Sequence, residues 1–123
     1  MSTSDGRLDL DSLTSLHWIG INLALISAVV HLVLGVGFLP HPMGVLFLLA
    51  TGGFLGAIVL LVVGYRRRLL YLVGIPFTGI QIVGWYVVNR PAGPADIGPA
   101  GAIDKLAQLL LIVVLVMLYR WDW

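Results

Sequence analysis

The chain has no cysteine, and only 11% of its 123 residues are charged. The missing cysteine excludes disulfides, thiolate metal sites and thiol nucleophiles. The shortage of charge, set against about 25% in soluble domains, and a hydrophobic content of 59% exclude an ordinary soluble globule. Glutamate is absent too; all six acidic residues are aspartates. A net charge of +1 offers a phosphate backbone little to hold, so no nucleic-acid partner is expected. A mean hydropathy of +1.02 over so short a chain leaves no room for a separate soluble domain.

Four long apolar blocks stand where polar sequence is missing, at about residues 16–39, 43–64, 69–89 and 102–119. Each is close to the ~20 residues that a helix needs to cross a hydrocarbon core. The expected fold is therefore all-α, an integral membrane four-helix bundle in residues 16–120 behind a polar tail, 1–15. The tail, with leucines at 8, 10, 13 and 16, suits either frayed coil or a short interfacial helix. The first block exceeds a signal-peptide core and lacks a small-residue cleavage exit, so it should remain as an anchor.

Charge placement predicts orientation. An even number of spans puts both termini and the middle loop on one side, with Arg7, Arg66, Arg67, Arg68 and Arg120. The other side has Arg90 and Lys105. The positive-inside rule then predicts cytoplasmic termini. Trp18, Tyr65, Tyr71, Tyr119, Trp121 and Trp123 would crowd the inner interface, and Trp85 and Tyr86 the outer one. Two prolines in Phe38-Leu39-Pro40-His41-Pro42 predict a tight outer turn, and the arginine triplet a short inner one. Short turns predict antiparallel neighbours. The prolines of residues 89–99 argue against helix there.

The helices are not uniform rods. On the first, Gly20, Ala24, Ser27, Ala28, His31 and Gly35 fall within a stripe about 100° wide. Small residues let membrane helices approach, so Gly20, Ala24, Ala28 and Gly35, with Gly52 and Gly56 on the second, are expected packing positions. Asn22 lies opposite that stripe, which suits either a shallow amide reaching the interface or a partner contact. On the third helix, Tyr71, Gly74, Thr78, Gln81, Trp85 and Asn89 share a polar face, with Pro76 opposite.

Depth makes one layer stand out. At 1.5 Å per residue, His31, Gln81 and Gln108 lie roughly 10, 12 and 9 Å below the outer ends of their helices. Asn89 and Asp104 would sit above them, toward the surface. Ionisable groups inside a membrane are costly, which marks His31 as a candidate for function. Asp104 alone would be explained by a helix N-terminus.

No cofactor is expected. A bis-histidine haem needs two histidines across one pocket, and His17 lies about 21 Å along the helix from His31. A metal site would have to combine His31 and His41 with Asp96 or Asp104. No nucleophile sits beside a suitable base, so catalysis is not expected.

The segments His31-Leu-Val-Leu-Gly35, Gly44-Val-Leu-Phe47, Gly64-Tyr-Arg-Arg-Arg68, Gln81-Ile-Val-Gly-Trp-Tyr86 and Asp104-Lys-Leu-Ala-Gln108 carry a resemblance. Over about residues 16–120 the chain resembles an uncharacterised family of small four-span membrane proteins from halophilic archaea. The resemblance implies a four-helix bundle in an archaeal cell membrane and assigns no activity.

The expected function is that of a non-catalytic assembly or accessory subunit. Its partners would be the lipid bilayer and either its own copies or a larger membrane complex. The alternative is a small transporter, channel or ligand-binding protein built on the His31/Gln81/Gln108 layer.

Overall fold

The computed structural model describes residues 10–90, 92–93 and 98–121. A single 3-10 turn, Leu10–Ser12, leads into α1 (Ser15–Phe38), α2 (Pro42–Val62), α3 (Arg67–Asn89) and α4 (Pro99–Trp121). No strand occurs among the described residues. All four helices are long and apolar enough to cross a membrane. Residues 1–9, including Arg7, and Asp96 lie outside the described part.

Local chemistry sets the helix ends. The Thr14 backbone N–H donates to His17 Nδ1 at 2.9 Å, closing the first turn of α1. Pro40 has no N–H to continue α1. His41 then caps α2, its Nδ1 accepting the Met43 N–H at 3.0 Å, with Pro42 in the first turn. At the far end of α2, Gly64 takes a left-handed φ of 72°. Gly64 N–H donates to Leu61 O at 3.1 Å and Tyr65 N–H to Leu60 O at 3.0 Å, a Schellman closure that glycine permits.

Two boundaries differ from expectation. Helix α3 begins at Arg67, inside the arginine cluster. Helix α4 begins at Pro99, three residues before the apolar block. Proline is favourable there because the first-turn N–H groups have no intrahelical acceptor.

Helix α1 packs against both α2 and α4, and α4 against α3, while α2 and α3 make a smaller contact than these. One half of the core joins Ile21, Leu61, Tyr71, Val114 and Leu118; the other joins Ala24, Ala28, Phe54 and Leu111. Of the expected packing positions, Gly20, Ala24, Ala28 and Gly35 are buried. The closest approach to another backbone atom is at Gly44, where an added Cβ would stand 2.7 Å from the Gly35 carbonyl oxygen. Gly52 and Gly56 do not pack against another helix of this chain. Both are exposed, and a Cβ on either meets nothing within 4 Å. The inward face of α2 is set instead by Gly44, Thr51, Phe54 and Leu61, and Gly53 abuts Phe77 of α3. Asn22 is also exposed, and its amide donates to Trp18 O at 2.8 Å, which satisfies it within α1.

Candidate functional site

Two polar clusters occupy opposite halves of the bundle. At the end near the arginine triplet, His17 is buried. Its Nδ1 accepts from Thr14 N–H, so the ring hydrogen lies on Nε2, which faces the Tyr71 hydroxyl at 3.1 Å. Arg67 reaches across this end, donating to Leu61 O at 2.9 Å and to Ser12 Oγ at 2.6 Å. The Arg68 guanidinium stands 4.3 Å from the Tyr119 ring centroid. Arg66 is exposed, in a left-handed backbone conformation. The triplet, read from sequence as a topology signal, thus also ties the tail and the end of α4 to the α2–α3 turn.

The other cluster is a continuous chain of hydrogen bonds through α1, α3 and α4. Ser27 donates its hydroxyl to Asp104 Oδ1 at 2.6 Å. Asp104 Oδ2 pairs with Lys105 Nζ at 2.9 Å. Lys105 also donates to Gln108 Oε1 at 2.8 Å, and Gln108 Nε2 donates to Gln81 Oε1 at 2.9 Å. Gln81 Nε2 closes the chain on Phe77 O at 3.0 Å. His31 joins at the first link, its Nδ1 lying 2.7 Å from Ser27 O and 3.7 Å from Asp104 Oδ1. Its ring packs against Phe47 and Phe54, with centroids 5.5 and 5.8 Å away. Gln108 is 0% exposed, Asp104 3% and His31 4%. So deep a polar chain is tolerable only because each link is paired.

Beside this chain lies a cavity of about 440 Å³. Its walls come from Val30 to Phe38 of α1, Met43 to Ala50 of α2, Gln81 to Asn89 of α3 and Gly101 to Lys105 of α4. His31, Gln81, Asp104 and Lys105 supply its polar wall, and Leu34, Phe38, Leu46, Phe47 and Val88 its apolar one. Trp85 lines the cavity with the Lys105 ammonium 5.8 Å from its ring centroid. The volume falls within the range of small-molecule sites. A second void, about 60 Å³, lies toward the arginine-triplet end and is almost wholly apolar.

Of the residues singled out in the sequence, Gln81 and Gln108 bond directly, and His31 and Asp104 meet through Ser27. Asn89 lines the cavity but lies outside the chain of bonds; its amide donates to Trp85 O at 2.9 Å. His41 is spent on capping α2, and among the described residues no three potential ligands gather for a metal.

A family model described as a family of unknown function (DUF7475) matches residues 3–119. The chain belongs to this family. Comparison with curated proteins and with solved structures finds no match. The DUF7475 match takes in every member of both polar clusters.

Several residues matter here beyond those that the sequence marks. Lys105 looked like a loop-proximal charge, yet it links Asp104 to Gln108. Ser27 looked like a packing residue, yet it bridges α1 to α4. Thr51 donates to Phe47 O at 3.0 Å and faces Ala28 O at 3.4 Å, stitching α2 to α1. For Ser27, helical spacing was a usable signal, since it lies one turn from His31 on the same face.

Proposed function

We propose that this member of the DUF7475 family is a multi-pass cell-membrane protein that binds a small ligand in the cavity beside the His31–Asp104 chain. The cavity of about 440 Å³ carries this reading, because it sets a largely apolar space against a polar wall drawn from three helices. A chain whose polar groups served only to glue helices would close around them and leave no such space. The proposed arrangement is antiparallel, with both termini cytoplasmic and the cavity toward the outer side, in the membrane of a halophilic archaeon. The positive-inside count of Arg7, Arg66, Arg67, Arg68 and Arg120 supports it. The proposed role is binding or passage rather than catalysis: the Ser27 hydroxyl is already donated to Asp104, and Asp104 is held by Lys105.

The test uses Gly84, which lines the cavity and where a Cβ meets nothing within 4 Å. Gly84→Trp should therefore fill the cavity without disturbing helix packing. Wild-type protein in nanodiscs should bind an apolar fluorescent probe saturably, and Gly84→Trp, equally helical and equally stable, should not. Equal probe uptake by both proteins, or no saturable uptake by wild type, would sink the reading.

Assembly with further copies or with a larger membrane complex is the second reading. The exposed Gly52-x-x-x-Gly56 pair supports it, because no helix of this chain fills the space above either glycine. Cross-linking in native membranes should trap a defined oligomer or partner, and Gly52→Leu with Gly56→Leu should abolish it. A monomer throughout would count against it.

A further inference from the structure

The polar wall of the cavity is unequal in what it leaves unused. His31 Nδ1 faces three oxygens, Ser27 O at 2.7 Å, Ser27 Oγ at 3.4 Å and Asp104 Oδ1 at 3.7 Å. A ring nitrogen surrounded by acceptors carries the hydrogen, so the lone pair lies on Nε2. That Nε2 has no hydrogen-bond partner among the described residues, and it is not among their sealed-off, unpartnered polar atoms. His31 lines the cavity, which gives the atom its access. His17 has the opposite tautomer and spends both nitrogens inside the protein.

The remaining buried polar groups are occupied by one another. Asp104 receives Ser27 on one oxygen and Lys105 on the other, and Lys105 also holds Gln108. The carboxylate and the ammonium neutralise each other, so the wall carries no net charge with which to balance a charged guest.

We infer that the ligand is an uncharged amphiphile whose hydroxyl donates to His31 Nε2 and whose apolar body lies against Leu34, Phe38, Leu46, Phe47 and Val88. This rests on the reading of the cavity as a ligand site. A carboxylate would set its oxygen against the Nε2 lone pair. A carboxylate or an ammonium would enter without a counter-charge, at a desolvation cost that nothing offsets. An ether of the same length would fill the same space and leave Nε2 unpaired.

The test reads Trp85, which lines the cavity. Trp18, Trp121 and Trp123 are replaced with phenylalanine in the full chain, and the protein is placed in nanodiscs. Three probes carrying a bromine quencher on the chain are titrated as mole fractions of the bilayer: ω-bromoundecanol, its methyl ether and ω-bromoundecanoate. The alcohol should quench saturably and bind about tenfold tighter than the ether, the worth of one net hydrogen bond with its acceptor left bare otherwise. It should also bind tighter than the carboxylate. In His31→Leu the alcohol and the ether should bind alike. Equal saturable binding of alcohol and ether to the His31 protein overturns the hydroxyl inference and leaves the cavity standing. So does a carboxylate that binds tightest, or a preference that survives in a folded His31→Leu. The comparison on the His31 protein decides the matter even if His31→Leu fails to fold. No saturable quenching by any probe overturns the cavity reading itself.

Discussion

Asp104→Leu removes the only carboxylate beside the Lys105 ammonium in the polar chain, while Ser27 and His31 lose the oxygen they face. The side chains of Asp104 and Lys105 are 5% and 13% exposed, so the pair is largely withdrawn from water. Breaking such a pair costs about 3–5 kcal/mol, because a charge is left without its partner. Lys105 is the more accessible member and its long stem can carry the ammonium outward, which puts the expected loss near the lower bound, about 3 kcal/mol. That loss shifts the folding equilibrium by roughly a hundredfold. Lys105→Met should cost a similar amount, since it strands the Asp104 carboxylate and also unpairs Gln108 Oε1. The double variant should behave differently. With both charges gone, the residual cost is mainly the unpaired Gln108 oxygen and the Ser27 hydroxyl, about 1–2 kcal/mol each. The two substitutions should therefore be coupled by at least about 2 kcal/mol. Equilibrium unfolding by dodecyl sulfate in mixed micelles, followed by far-ultraviolet circular dichroism, measures all four proteins. Additivity within about 0.5 kcal/mol would refute the claim that this pair is a coupled, buried unit.

Gly44→Leu should destabilise the protein severely, because the Cβ meets the Gly35 carbonyl and the Leu39 backbone nitrogen, which cannot swing aside as a side chain would. Gly52→Leu should leave the melting temperature of the monomer within about 2 °C, since its Cβ enters open space. Gln81→Leu leaves Gln108 Nε2 without its acceptor and should cost about 1–3 kcal/mol in the same unfolding titration. Tyr71→Phe removes the hydroxyl facing His17 Nε2 and should cost about 1 kcal/mol, with helicity unchanged.

The helices were legible because their cause is local. A run of about 20 apolar residues, bounded by Pro40 and Pro42 or by the arginine triplet, states its own beginning and end. Pro99 was misread, since a proline signals a break or a helix start depending on which backbone groups would otherwise go unpaired. The stripe of α1 was legible from 3.6-residue spacing, because one face of one helix repeats on a fixed angle. The glycines of α2 were not. Gly52 and Gly53 are a residue apart, and which of them meets another helix depends on how α2 is rotated against α3.

The candidate site divides along the same line. By itself the sequence determined that His31, Gln81, Asp104 and Gln108 belong to long apolar helices, in from the helix ends, where a polar group needs a partner. Spacing along a helix is covalent information, and depth follows from it. Only the tertiary structure decided which partner each group found, that Ser27 and Lys105 complete the chain, and that His31 turns Nδ1 inward and leaves Nε2 to the cavity. The cavity takes its lining from all four helices. Helix rotation and separation are set by side-chain fit summed over whole faces, and no single segment carries that sum.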